Sequence, residues 1–212
     1  MTALCAVCKE DRVTLLTDGA CVEAGGRLAM VAPKVFTFPH LSAALAVVGP
    51  TAMILRLGAM LSVSATFDDL LGEAPGMARI AYCELGEMND FGEEGRDFEL
   101  YLAGYSPTRD RMEGWRLIGH DRSSDVRPWE LNAAPDIIVT PLPPDYTWPE
   151  DFDPLTDGLE LIEAQRRVGG PLGFVIGGFA QVTTIKRDAI ETMIIRRWPD
   201  EVGKTINPTE VL

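Results

Sequence analysis

The chain is poor in positive charge and contains no run of Lys and Arg. Its 212 residues include 19 Lys and Arg against 32 Asp and Glu, for a formal net charge of −13. A protein that binds nucleic acid needs a basic surface to neutralise phosphates, and anionic membranes attract the same kind of surface. The composition therefore argues against both nucleic acid and a membrane as partners.

Cysteine is scarce, and its spacing does not suit a metal site. Cys5 and Cys8 form the motif C-A-V-C. Side chains three residues apart on a strand point to opposite faces, and no second pair follows at zinc spacing. We expect these two residues, with Cys21 and Cys83, to be free thiols in a reducing compartment, and we expect no metal.

Long apolar runs are also missing. The longest, around residues 41–48, is far shorter than the roughly 20 residues that span a bilayer. The first residues lack the basic and apolar regions of a signal peptide. We therefore expect a soluble, cytoplasmic protein.

The sequence contains few histidines and no glycine-rich motif that binds nucleotides. Only His40 and His120 are present. A Ser-His-Asp triad would need one of them beside an activated serine, and the sequence contains no G-x-S-x-G motif. The sequences G-x-G-x-x-G and Walker A do not occur, and "GGPLG" (169–173) is interpreted as a turn. No cofactor is implied.

The chain alternates pairs of strand-like segments with helical blocks, which favours one α+β layered domain over residues 1–212 rather than a doubly wound parallel sheet. A turn is predicted at Asp18, and a loosely packed tail from residue 199. The strands are predicted over 2–8, 12–17, 34–38, 40–49, 97–106 and 113–121, with a closing hairpin over 174–198; the helices are predicted over 51–63, 66–88 with a break at 75–76, and 157–170.

Residues 126–155 are rich in proline. They contain seven prolines, which predicts a long surface excursion with little regular structure. Trp129, Tyr146 and Trp148 lie in this segment. They either pin the segment to the body or form a binding surface, and we favour pinning.

Three residues near the start stand out by type and spacing. Asp18 follows Thr2 by sixteen residues, and Lys34 follows Asp18 by another sixteen. Each also has a simpler explanation: Thr commonly follows Met, Asp-Gly is a turn signal by itself, and Lys34 suits a solvated loop. Gly49 likewise suits the end of a strand.

These motifs resemble those of proteasome β-subunits and HslV-type proteins, within the N-terminal nucleophile hydrolases. Members of that family begin with Thr on the first strand, carry a D-G-like turn after the second strand, and open the next strand with Lys-Val. The matching segments here are Thr2, "TDGA" (17–20) and "KV" (34–35). "AVVGPTA" (46–52) takes the place of the family's strand that ends in Gly before a helix. The motif resemblance covers roughly residues 2–60.

The resemblance implies a four-layer αββα sandwich and a threonine-type peptidase or amidohydrolase acting on a peptide or small amide. Thr2, once the initiator Met is removed, would supply both nucleophile and base, because a free α-amine with a reference pKa of about 8 can take the hydroxyl proton. Lys34 is implied as a nearby cation that Asp18 holds by a charge-assisted hydrogen bond. The N–H of Gly49 is implied as the oxyanion donor.

One part of the family pattern is missing, and it keeps a second hypothesis open. The family's Ser-Gly-Ser-like turn, with a supporting Asp and Ser, has no counterpart in this sequence; Ser123 and Ser124, or Thr156 and Asp157, are the candidates to replace it. The second hypothesis is a non-catalytic protein on the same scaffold, like proteasome α-type subunits by resemblance. Since relatives assemble into rings, both hypotheses imply a homo-oligomer.

Overall fold

A computed structural model of the protein describes residues 2–23, 25–88, 97–120 and 126–209. Within these ranges the chain forms twelve strands, three α-helices and a short 3-10 helix. The strands are β1 (Leu4–Cys8), β2 (Arg12–Asp18), β3 (Ala20–Val22), β4 (Leu28–Val31), β5 (Val35–Phe38), β6 (Ala43–Val48), β7 (Glu99–Ser106), β8 (Arg111–Ile118), β9 (Asn132–Ala133), β10 (Ile137–Thr140), β11 (Phe179–Lys186) and β12 (Ile190–Arg197). The helices are α1 (Ala52–Leu61), α2 (Phe67–Met88), α3 (Gly158–Arg166) and the 3-10 turn Pro39–Leu41.

Two five-stranded sheets form the body of the protein. The first has the order β10-β1-β2-β11-β12 and the second the order β5-β6-β7-β8-β9, while β3 and β4 form a separate hairpin. Every neighbouring pair is antiparallel. This arrangement confirms the α+β class and the predicted hairpins at both ends of the chain.

Three large clusters of buried apolar side chains hold these elements together. Side chains of β2 alternate between two of the clusters, as the two-residue period of a strand requires. The clusters are represented by Leu15 and Ala46 between the two sheets, by Leu57 and Leu100 where α1 and α2 meet the second sheet, and by Leu16 and Leu161 where α3 meets the first sheet.

The cysteines of β1 follow the same alternation. Cys5 belongs to the cluster beneath α3, and Cys8 packs against the cluster between the sheets. All four cysteines are free thiols. In the described ranges no three His, Cys, Asp or Glu side chains are grouped to hold a metal, and no helix there has the length and apolar character of a membrane span.

Helix α2 runs continuously through Pro75, so the predicted break at that residue is wrong. Proline lacks an N–H and leaves the carbonyl of Leu71 without its helical donor. Ala74 and Ala78 are nevertheless completely buried against the second sheet. Packing of this small-residue face outweighs the local cost of the proline.

The Pro-rich segment contains more regular structure than predicted. Ile137–Thr140 form β10, which pairs with β1 at the edge of the first sheet, and Asn132–Ala133 pair with β8. The prediction fails because Pro135 and Pro141 flank β10 rather than interrupt it, so no ladder hydrogen bond is lost.

Aromatic contacts attach this segment to the body. The ring of Trp129 lies 5.1 Å from that of Tyr82 and 5.9 Å from that of Phe98. The rings of Tyr146 and Trp148 are 5.0 Å apart, edge to face. Pinning is therefore the role that the packing of Trp129 supports.

The C-terminal tail also differs from expectation, because it is packed rather than loose. Ile206 is buried against Ala20 and Leu28. The N–H of Leu28 donates to Lys204 O at 2.8 Å, and the N–H of Gly203 donates back to Leu28 O at 2.8 Å. The tail thereby extends the β3–β4 hairpin by backbone pairing, which its polar composition does not reveal.

Candidate active site

Asp18 ends β2 as a buried carboxylate that accepts four hydrogen bonds. Its Oδ1 accepts from the N–H of Ala3 at 3.0 Å and from Lys34 Nζ at 2.7 Å. Its Oδ2 accepts from the N–H groups of Ala20 and Gly177, both at 3.1 Å. We call Asp18 and these four donors the Asp18 cluster. Four donors on two oxygens compensate the desolvation of a carboxylate that is 0 % exposed.

Lys34 lies directly before β5 and is buried rather than solvated. Only 2 % of its side chain is exposed, and its partner is Oδ1 of Asp18. A buried ammonium needs an opposite charge and good hydrogen-bond geometry to offset its desolvation. Because Asp18 belongs to the first sheet and Lys34 leads into the second, this ion pair connects the two sheets.

Thr2 adjoins the ion pair through the backbone. The N–H of Ala3, the next residue, donates to the same oxygen of Asp18 that Lys34 contacts. A Cα atom lies about 2.4 Å from the following nitrogen, so the Cα of Thr2 lies within about 5.4 Å of Asp18 Oδ1. Thr2 is itself 3 % exposed. The fold therefore brings Thr2, Asp18 and Lys34 together where β1 begins and β2 ends.

The sequence predicts a turn at the Asp-Gly pair, but the strands on either side of it lie in different sheets and do not pair. The chain continues through Gly19 from β2 into β3. Asp18 instead turns its carboxylate onto the N–H of Ala20, two residues ahead, as Asp side chains often do where a strand ends. A Cβ at position 19 would lie 2.6 Å from the ring of Phe179, so this glycine is required by close packing.

Gly49 is not linked to the Asp18 cluster by a hydrogen bond within the described part of the chain. It follows β6 with φ at +144°, where glycine is strongly favoured. A Cβ there would lie 2.7 Å from the carbonyl oxygen of Asp97 and 2.9 Å from Cβ of Phe98. Packing against the start of β7 thus explains this glycine. The β5–β6 register places it two residues beyond the position opposite Lys34.

Gly177 also belongs to the site, although it is not among the residues that the sequence predicts there. Its N–H binds Asp18 Oδ2, and its carbonyl accepts the N–H of Gly19 at 3.0 Å. The sequence pattern predicts that "FVIGGF" belongs to the last hairpin, whereas β11 begins only at Phe179. Two adjacent glycines inside a strand-like pattern are the signal for a close backbone approach, and they were available in the sequence.

The candidates for the family's supporting residues have local roles or lie outside the described residues. Ser123 and Ser124 fall outside the described residues. Thr156 Oγ1 donates to the carbonyl of Asp153 at 3.3 Å, and Asp157 accepts the N–H of Asp153 at 2.8 Å. These two residues shape the turn before α3, and among the described residues no hydrogen bond joins them to the Asp18 cluster.

The fold is of the α+β class and is proteasome-like. The chain superposes on the solved structure of Anbu (ancestral beta-subunit) from Yersinia bercovieri with a TM-score of 0.68. The match covers 92% of this chain and 87% of that chain, at 10% sequence identity. No protein-family model matches the chain, and no curated protein matches its sequence. The likeness to Anbu is therefore one of fold.

Proposed function

We propose that the chain is an N-terminal threonine hydrolase that cleaves peptide or amide bonds, built as a single domain with a four-layer αββα arrangement. The observation that carries the proposal is the 2.7 Å ion pair between Asp18 and Lys34, buried beside Thr2. The structural likeness to Anbu supports the scaffold. The sequence resemblance supports the choice of Thr2 as nucleophile.

In the proposed reaction, removal of Met1 exposes the α-amine of Thr2. This amine takes the proton from Thr2 Oγ1, and the oxygen attacks the carbonyl carbon of the scissile amide. Lys34 is a fixed cation that stabilises the developing alkoxide. Asp18 holds both Lys34 and, through the N–H of Ala3, the backbone of the nucleophile. The N–H of Gly49 is the proposed donor to the oxyanion.

The intermediate collapses when the C–N bond of the substrate breaks. The leaving amine takes the proton held by the amine of Thr2, and the acyl group remains as an ester on Thr2 Oγ1. Water then attacks the ester with the same amine as base, which frees the acid product and restores Thr2. The proposed reaction draws only on groups of this chain and water.

A second candidate function is non-catalytic assembly on the same scaffold. The burial of Thr2 favours this candidate, because a nucleophile must be reached by its substrate and Thr2 is 3 % exposed. The Asp18 cluster would then only stabilise the junction of the two sheets. We propose a cytoplasmic homo-oligomer, by resemblance a ring, for both candidates.

The test combines intact mass with a matched set of threonine variants. Mass spectrometry of the purified full chain should show loss of one Met. Thr2→Ala should abolish hydrolysis of a panel of fluorogenic peptide amides, and Thr2→Ser should retain part of it. Thr14→Ala, which changes a buried threonine on β2 away from the proposed nucleophile, is the matched control. Retained Met1, or a Thr2→Ala protein as active as wild type, would leave only the assembly candidate.

A further inference from the structure

We propose that Arg166 and Asp200 are positioning residues for the Asp18 cluster, acting through the backbone of residues 176–178; the inference rests on the proposed function. Arg166 ends α3, and Asp200 lies beyond β12. Their side chains form two parallel hydrogen bonds of 2.7 and 2.6 Å, with 1 % and 4 % of the side chains exposed. They form a second buried ion pair, separate from that of Asp18 and Lys34.

The Arg166–Asp200 pair holds the chain on both sides of Gly177. The Nη1 of Arg166 donates to the carbonyl of Ile176 at 3.0 Å. The Oδ2 of Asp200 accepts the N–H of Gly178 at 2.7 Å. A Cβ at position 177 would collide with both charged side chains, so the glycine backbone lies directly against the pair. The position of this peptide is therefore fixed by charged groups that make bidentate contact.

The same peptide reaches the candidate active site on its other side. The N–H of Gly177 is one of the two donors to Asp18 Oδ2, at 3.1 Å, and its carbonyl accepts the N–H of Gly19. Two buried ion pairs thus contact one glycine from opposite directions. If the Arg166–Asp200 pair is lost, residue 177 is free to move, and Asp18 loses one of the donors that fix its orientation toward Lys34.

The composition of the pair indicates positioning rather than stability alone. Replacing a buried ion pair by apolar side chains of similar size is often neutral or stabilising. Arg166 in addition carries a buried Nε that has no hydrogen-bond partner among the described residues, which is unfavourable. Its remaining polar contacts reach backbone carbonyls of residues 176 and 207. An apolar pair could fill this space but could not hold these backbone groups.

The experiment uses the full chain with Arg166→Met, Asp200→Asn and the conservative variant Arg166→Lys. Amide hydrogen exchange at Gly177 is expected to rise about tenfold in the first two variants, relative to the amides of β7, and by less in Arg166→Lys. Arg56→Met is the matched control, because Arg56 makes a similar two-bond contact to Glu84 on the exposed helical face. Exchange at Gly177 should not change in that control.

Kinetics provide a second readout. If the wild-type protein hydrolyses peptide amides, Arg166→Met should lower kcat about tenfold and shift the pH profile of kcat. KM should change little, because the Arg166–Asp200 pair contacts the Asp18 cluster through the backbone and is not proposed to contact the substrate. The inference is overturned if exchange at Gly177 is unchanged, or rises only in step with the amides of β7. Should Arg166→Met fail to fold, Arg166→Lys and Asp200→Asn decide by the same criterion. An inactive wild type refutes the proposed function, whereas the exchange result still decides the positioning role.

Discussion

The Nζ of Lys34 lies 2.7 Å from Oδ1 of Asp18, and the two side chains are 2 % and 0 % exposed. This ion pair connects the end of β2 in the first sheet to the start of β5 in the second sheet. Thr2 lies next to this connection. An ion pair this deep tolerates desolvation only because Asp18 also accepts three backbone N–H groups. The same contacts that orient Lys34 are therefore needed for stability.

The first prediction concerns the cost of breaking this pair. Asp18→Asn removes the negative charge and leaves Lys34 buried without compensation, so the free energy of unfolding should fall by about 3–5 kcal/mol. Urea denaturation followed by circular dichroism measures the loss. The double variant Asp18→Asn/Lys34→Met should be more stable than the sum of the single losses, because no uncompensated ammonium remains.

The matched control is an ion pair at the surface. Arg56 and Glu84 join α1 to α2 through two hydrogen bonds, but their side chains are 50% and 36% exposed. Arg56→Met should cost less than about 1 kcal/mol. Equal losses for Asp18→Asn and Arg56→Met would contradict the energetic role that burial gives to the Asp18–Lys34 pair.

Local sequence patterns predict much of the fold. Alternating apolar residues identify the hairpin of β1 and β2 and the closing hairpin of β11 and β12, and the spacing of Thr2, Asp18 and Lys34 marks residues that the fold brings together. These features depend on side-chain type and on short sequence separations, which a single sequence displays directly.

The remainder of the site depends on backbone contacts over long separations. Gly177 lies 159 residues after Asp18 in the sequence and donates a hydrogen bond to its carboxylate. The donor is a backbone N–H, which every residue except proline carries. The tail pairs with β4 through main-chain groups of Leu28 and Lys204. A pair of glycines can indicate that another backbone comes close, but no side-chain pattern identifies the partner in such contacts. Local signals also do not predict that α2 continues through Pro75, since packing against the second sheet outweighs local propensity.

The second prediction contrasts two glycines. A Cβ at position 19 would lie 2.6–2.8 Å from ring atoms of Phe179, which is buried, whereas a Cβ at Gly72 on the exposed side of α2 would have nothing within 4 Å. Gly19→Ala should lower the free energy of unfolding by about 1–3 kcal/mol through overpacking. Gly72→Ala should raise it by roughly 0.5–1 kcal/mol, because alanine favours the helix. Thermal and urea unfolding measure the change in the free energy of unfolding for each variant. A change in the same direction for both variants would contradict the close packing inferred at Gly19.

The third prediction concerns acid stability at Glu113. Burial by itself would raise the pKa of this carboxyl, but hydrogen bonds from Arg109, Arg111 and Trp115 outweigh burial and hold the pKa below its ordinary value. Since the pKa is lowered in the folded state, the ionised carboxylate adds stability above its unfolded pKa of about 4.5, and this contribution is lost as the pH falls further.

Glu113→Gln should therefore weaken the dependence of stability on pH between about 5 and 3, and it should lower stability at neutral pH. Urea midpoints measured across that range give the slope. A Glu113→Gln protein with the full acid dependence of wild type would show that the three donors do not favour the ionised form.

The fourth prediction concerns thiol reactivity. Burial raises the pKa of the Cys5 thiol to about 12, and Cys5 is 0 % exposed beneath α3, whereas Cys83 lies exposed on α2. Because alkylation requires an accessible thiolate, iodoacetamide at pH 8 should modify Cys83 quickly and leave Cys5 unmodified until the protein is unfolded in urea. Peptide mass spectrometry over time gives the two rates. The raised pKa also predicts that stability falls as the pH rises from about 9 toward 12, since only the unfolded chain ionises this thiol freely. Labelling of Cys5 and Cys83 at equal rates in the folded protein would contradict the close packing of β1 against α3.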